Sequence, residues 1–274
     1  MNVVYNKKML TMLLVAVLVT LGLTNTSFAV ARVLEYKFTV NDSNEYTYDL
    51  DNDWEIDERA ESGSRDVDCD ITFTINANNG DGSFDIDVDQ DNSTITVDNG
   101  TPENMATGSD TSIQEEGRGK VTHELDWDLV LPDLDGDEWY KGTRSDGTGP
   151  FISTTVDVND TWTHTVYVTP YGEGQQTVNI NCKLLEWTTL SGHNVGKIER
   201  TYTYPVHQVK KSDSNMIIDG DFSITEYWWF SYDENLLIKS EVSSSVTLTC
   251  TTSLDSPDDE YLMDVTLTTV MTLK

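Results

Sequence analysis

Strict in-out alternation governs most of this chain. Val67, Cys69, Ile71, Phe73 and Ile75 are separated by Asp68, Asp70, Thr72 and Thr74. A period of two puts apolar groups on one face of a strand and polar groups on the other, and a helix cannot satisfy it. Asn78-Asn79-Gly80-Asp81-Gly82 then supplies residues that tolerate positive φ, and Phe84, Ile86 and Val88 return between Asp85, Asp87 and Asp89. The pattern predicts a hairpin. Leu34, Tyr36, Phe38 and Val40 alternate in the same way and predict another strand. So do residues 121–129, with Leu125 and Trp127 inward, and residues 162–168 and 178–184. The last third predicts three more, over 217–230, 236–250 and 261–273. About eleven strands result, and Thr is abundant, as suits half-wet pleated surfaces. The expected fold is all-β: a single large curved antiparallel sheet, or an unclosed half barrel. Segments 98–119 and 132–150 are rich in Gly, Asp and Ser and predict irregular chain.

Residues 1–31 are of a different kind. They hold Lys7 and Lys8 but no acidic residue, run almost wholly apolar over 9–23, and end in small residues at Ala29-Val30-Ala31. That is the pattern of a cleavable signal peptide, cut after Ala29 or Ala31. The apolar run falls short of the roughly 20 residues that span a bilayer. An N-terminal lipid anchor needs a cysteine just past it, and the first cysteine is Cys69. The product is expected to be exported, periplasmic or extracellular, with residues 32–274 as one β domain and a subdivision near residue 147 as the alternative.

Charge narrows the partners. There are 17 Lys plus Arg against 48 Asp plus Glu, a formal net charge of −31. Nucleic acid and anionic membrane surfaces both require clustered cations, so neither is a partner. The acids recur at every second position in Asp49, Asp51 and Asp53, in Asp66, Asp68 and Asp70, and in Asp85, Asp87, Asp89 and Asp91. On strands this spacing spreads carboxylates about 7 Å apart, too far to share one ion. Asp133, Asp135 and Asp137 flank Gly136 in a loop-like stretch and form the best local calcium candidate, because a turn converges oxygens that a strand holds apart. No other cofactor is expected.

The three cysteines, Cys69, Cys182 and Cys250, fall on apolar faces and are expected as buried thiols. If two pair, Cys182 with Cys250 is the first pair to test. Of the histidines, His164 shares a face with Trp162 and Val166 and reads as a packed imidazole. No nucleophile elbow, phosphate loop or metal-ligating histidine pair occurs. Tyr227-Trp228-Trp229-Phe230 places rings on both faces of one strand. One face packs the core; Trp228 and Phe230 are the candidates for the other, meeting a second layer, a sugar ring or an apolar ligand.

Val158-Asn159-Asp160-Thr161-Trp162, a long strand pair after it, Asp219-Gly220-Asp221-Phe222, and Trp229-Phe230-Ser231-Tyr232-Asp233-Glu234-Asn235-Leu236 leading into a Thr-rich strand together resemble a family of exported bacterial β proteins of unknown function. The likeness covers residues 150–274, with Asn159 where the family usually has Gly. That family is similar in strand order to the unclosed β-barrels that carry lipoproteins and lipids between membranes. The resemblance implies a curved antiparallel sheet with an apolar concave face, and no catalytic residue comes with it. The expected function is that of an exported, non-enzymatic, acidic β protein serving as an envelope or extracellular binding or structural component. The alternatives are a half-barrel carrier of lipid or lipoprotein, and a carbohydrate-acting enzyme with paired carboxylates. An apolar ligand or an envelope component is the expected partner.

Overall fold

The computed structural model describes residues 31–56, 61–80, 83–97, 101–104, 108–115, 139–140, 143–146, 148–170, 172–210, 217–251 and 260–274. Among these no helix occurs. The strands are β1 (Ser43–Ile56), β2 (Glu61–Asn78), β3 (Ser83–Val97), β4 (Thr101–Asn104), β5 (Gly108–Glu115), β6 (Trp139–Tyr140), β7 (Thr143–Asp146), β8 (Thr161–Thr169), β9 (Gln176–Leu190), β10 (His193–Lys210), β11 (Ile217–Ser231), β12 (Leu236–Thr251) and β13 (Glu260–Leu273). They form one 13-stranded sheet in the order β4-β3-β2-β1-β13-β12-β11-β10-β9-β8-β7, with β5 beside β3 and β6 beside β10. The pairings are antiparallel and the sheet does not close: β4 and β7 stay at opposite ends of the path. Neighbours in space are mostly neighbours in sequence, except that β1 pairs with β13, so the first and last strands meet in mid-sheet.

One rung shows how the alternation builds the core. Trp162, Cys182, Arg200, Glu226, Val242, Thr269, Leu50 and Val67 are successive cross-strand partners from β8 to β2, and all point to the inner face. Leu184, Val166, Ile218, Leu248 and Met263 on the same face are sealed from solvent. Bulges at Lys197/Ile198 and Trp229/Phe230 bend the sheet around this core. Tyr46 helps hold the curve: its hydroxyl donates to the Leu237 carbonyl at 2.8 Å, and burial pushes its ionisation well up.

A single sheet cannot bury its inner face alone, and two irregular segments lie across it. Leu34 of the first segment and Phe151 and Val156 of the second belong to the same core as Phe230 and Leu50. Tyr36 meets Phe151 at 5.5 Å and Phe230 at 5.1 Å between ring centroids, and Phe38 meets Phe84 at 5.4 Å. The strand expected over Leu34, Tyr36, Phe38 and Val40 is therefore corrected. The segment holds isolated bridges at Arg32, which pairs with Val156, and at Tyr36, and no strand of its own; its alternating rings cap the sheet instead.

The hairpin at Asn78-Asn79-Gly80 forms as the sequence predicts, with Gly80 at φ 81° and its amide donating to Asn78 Oδ1 at 2.8 Å. Ile75 pairs with Ile86 across it. Segments 98–119 and 132–150 hold short strands β4 to β7 where irregular chain is expected. Their composition is poor in strand formers, and backbone bonding to β3, β8 and β10 overrides it. The strand expected over 121–129 lies outside the described residues.

Candidate functional site

Inside the sheet the rung carries two charges. Arg200 and Glu226 are direct cross-strand partners, 3% and 8% exposed, and their side chains meet at 2.8 Å. The guanidinium lies 3.7 Å from the Trp228 ring centroid, and the indole N–H of Trp228 donates to the second Glu226 oxygen. On the other side Arg200 Nη2 donates to His164 Nδ1 at 3.2 Å. Arginine has no acceptor, so this bond puts the imidazole proton on Nε2. Burial pushes the Cys182 thiol up, more than the adjacent Arg200 pulls it down, so it stays protonated. His164, Cys182, Arg200 and Glu226 thus join side chains of four successive strands, β8 to β11. His164 is the packed imidazole the sequence suggests.

The expected ligand face of the aromatic run is corrected. Phe230 is fully buried, 4.5 Å from Phe151 between centroids, and Trp228 packs against the same core. The outward rings are Tyr227 and Trp229. Lys197 sits 4.9 Å from both centroids and Lys239 sits 5.4 Å from that of Trp229, so lysine stems from β10 and β12 cover the rings. The Tyr227 hydroxyl donates to Glu199 at 3.3 Å. Counting by twos from Ile218 through Phe222 and Ile224 finds this phase, because Phe230 is even and Trp229 odd.

The outer face has two chemistries. Over β1, β2 and β3 it is acidic, and the register sets like charges opposite one another: Asp49 with Asp68, Asp51 with Asp66, Asp70 with Asp91. Lys274 answers part of this, reaching Glu45 and Asp70 at 2.6 Å each. Lost hydration first, then the neighbouring carboxylates, raise Asp49 and Asp66 above the ordinary carboxylate range. Between the ordinary and the raised value the folded chain binds more protons than the unfolded one, so stability falls as pH rises through that window. Acidification from neutral pH should therefore raise the melting temperature before other carboxylates are lost, and added sodium chloride at neutral pH should raise it too. A melting temperature that drops on both titrations would show that the ladder is not strained. Among the described residues no three acidic, histidine or cysteine side chains are grouped to hold a metal. Asp133, Asp135 and Asp137 lie outside those residues.

Over β8 to β13 the outer face carries charges of both signs, Lys197, Glu199, Lys239 and Glu241 among them, on either side of a neutral band. Thr163, Asn181, Thr201, Thr225, Ser243 and Thr268 form one continuous outward rung. The pairing of β9 with β10 ends at Asn181–Thr201, while β9 stays with β8 and β10 with β11. At this fork a shallow cavity of about 480 Å³ opens, lined by Asn179, Asn181, Thr201, Thr203, Ser223 and Thr225 among others. Its side chains offer hydroxyl and amide groups beside Val178, Tyr202 and Ile224, and no charge. Sequence reading missed it: a Thr-rich strand predicts a wet face, but the lapse in pairing depends on long-range register. Cys69 and Cys182 are buried thiols, so Cys182 is not bridged to Cys250.

No protein-family model and no curated protein matches the chain. Among solved structures it is similar to a Bacteroides fragilis protein with a YmcC-like fold, assigned to export, at 11% identity and a TM-score of 0.36, covering 86% of this chain and 96% of that one.

Proposed function

We propose that this is an exported, non-enzymatic binding component of the envelope or extracellular space that engages an uncharged, hydrogen-bonding polymer on its outer face. One observation carries the reading: the inner face is covered by the chain itself, through Leu34, Tyr36, Phe151 and Val156, whereas the cavity at the β9–β10 fork is bordered by the neutral hydroxyls and amides of the outward rung, with Val178, Tyr202 and Ile224 beside them. That lining holds no carboxylate pair, thiol or imidazole, which favours binding over the glycan-hydrolysing alternative. The acidic remainder of the surface repels polyanions and copies of itself, leaving this patch as the place where close approach costs least. The carrier alternative needs an open apolar groove, and the aromatic stack of Tyr36, Phe151 and Phe230 occupies that position.

Cosedimentation with insoluble neutral polysaccharides tests this. The wild type is expected to pellet with at least one of a panel, and Thr201→Glu, which places a charge in the cavity without touching the core, is expected to abolish pelleting at unchanged melting temperature. Pelleting that Thr201→Glu leaves intact would place the ligand elsewhere.

A further inference from the structure

We propose that Pro205 is the positioning residue of the β9–β10 cavity: it holds the two strands apart, so that the backbone of Thr177, Asn179 and Thr203 faces a bound glycan instead of closing a ladder. The ligand half rests on the function proposed above and narrows its polymer to a glycan. The opening of the fork does not depend on it.

Ladder parity carries the argument. β10 pairs with β11 without a break from Val195 to Val209, and Pro205 stands opposite Asp221 within that run. Proline has no N–H, so an unbroken ladder needs Tyr204 and Val206 to bond to β11 and turns the Pro205 nitrogen to the other edge, towards β9. The far side of β9 fixes which of its residues look back. The Leu184 amide donates to the Asp160 carbonyl at 3.1 Å, and the Leu184 carbonyl accepts from the Asn159 amide at 2.8 Å. Thr165, opposite Asn179, turns its backbone away to Thr148, donating to Oγ1 at 2.8 Å and accepting from the amide at 2.9 Å. Even-numbered residues of this part of β9 therefore bond to β8, and Thr177, Asn179 and Asn181 present their N–H and carbonyl groups to β10.

The last β9–β10 pair is Asn181 with Thr201. Carried on in the same register, the ladder would set Asn179 against Thr203 and Thr177 against Pro205. The second pair needs a donor that proline lacks, and the pyrrolidine ring would crowd the Thr177 carbonyl. β9 leaves β10 before reaching it. On the same edge of β10, pairing resumes only with β6, at Val209 and Lys210. Pro205 is thus midway along 202–208, a stretch with no strand beside it on this edge among the described residues. Paired strands lie about 4.8 Å apart, so closure would leave no room for the cavity of about 480 Å³. Only the register gives Pro205 this role, since nothing in the local sequence shows which edge it faces.

The same residue selects the ligand. A peptide adding as a strand to β10 needs donors and acceptors in regular alternation along the edge, and Pro205 interrupts them. A sugar hydroxyl both donates and accepts, so it meets the N–H or carbonyl of Thr177, Asn179 and Thr203 without that alternation.

Amide hydrogen exchange, read residue by residue by NMR on the full protein, tests the opening, with Lys183, which is paired with Glu199, as internal reference. In the wild type the Thr177, Asn179 and Thr203 amides are expected to exchange faster than that of Lys183. Pro205→Val restores the donor with a strand-forming side chain, and the three should slow to the Lys183 rate. Pro205→Ala restores the same N–H and replaces it if the valine variant does not fold. Slow exchange at all three in the wild type, or fast exchange that persists in the variants, would overturn the role of Pro205. Cosedimentation with cellulose, chitin and an insoluble β-1,3-glucan tests the ligand half: variants whose amides have slowed should no longer pellet. Pelleting that survives closure would overturn the cavity as the glycan site while leaving Pro205 in its role. A wild type that pellets with none of the three would overturn the function proposed above, and the exchange result would still decide the opening. Slowing of the wild-type amides by an added uncharged, Thr- and Val-rich peptide would make the occupant a polypeptide strand and overturn the choice of glycan.

Discussion

Replacing Arg200 by Ala is expected to destabilise the protein by about 3–5 kcal/mol, because it strands Glu226 in the core without a counter-charge. Urea unfolding followed by tryptophan fluorescence reads this as a fall in midpoint at unchanged slope. Arg200 is 3% exposed, stacks on Trp228, and bonds to both Glu226 and His164. Lysine cannot reproduce that fork, so Arg200→Lys should lose most of the same amount. Removing both charges together, as Arg200→Leu with Glu226→Leu, should cost far less than the two single losses added, since the desolvation penalty disappears along with the attraction. A loss under about 1 kcal/mol for Arg200→Ala is what an exposed pair gives. It would mean that water reaches this rung and that the inner face is open.

Phe230→Ala is expected to cost about 3–5 kcal/mol, the range for emptying a fully buried ring position. Phe230 is packed by Phe151 at 4.5 Å and Tyr36 at 5.1 Å between centroids, one ring from each segment that crosses the sheet. Its loss should loosen both segments, and the cavity left behind is apolar and should admit a small hydrocarbon. The neighbouring Trp229 faces outward beneath Lys197 and Lys239, so Trp229→Ala should cost about 1 kcal/mol, mostly its cation–π contacts. Adjacent aromatic residues with such unequal penalties would verify the phase of β11 directly. Equal penalties would contradict it.

Much of the architecture is legible from alternation alone. The register of Ile75 with Ile86, and the inward set Trp162, His164, Val166 and Val168, follow from parity and turn chemistry. Parity says which way a side chain points but not what lies above it. Tyr36 and Phe38 alternate like strand residues yet serve as a cap, because an extended segment and a strand have the same period and differ only in where their hydrogen bonds go. The orientation of Trp228 and Phe230 was readable by counting from Phe222. The fork between β9 and β10 was not: nothing local marks Thr201 as the last paired residue. The ion pair of Arg200 with Glu226 was hidden for a related reason, since two charged residues on inward parity look like errors in the pattern until the register sets them opposite one another. The acidity needed no fold to be read, as it is a property of composition.

Native mass spectrometry of the protein purified from its own host, under conditions that keep noncovalent lipid bound, bears most directly on the claim that the inner face is filled by the chain's own rings. The expected spectrum shows the polypeptide without an apolar adduct, while Phe230→Ala soaked with a small aromatic hydrocarbon gains one. A stoichiometric lipid on the wild-type protein would contradict the claim, restoring the half barrel as a carrier and leaving the outer cavity without its role.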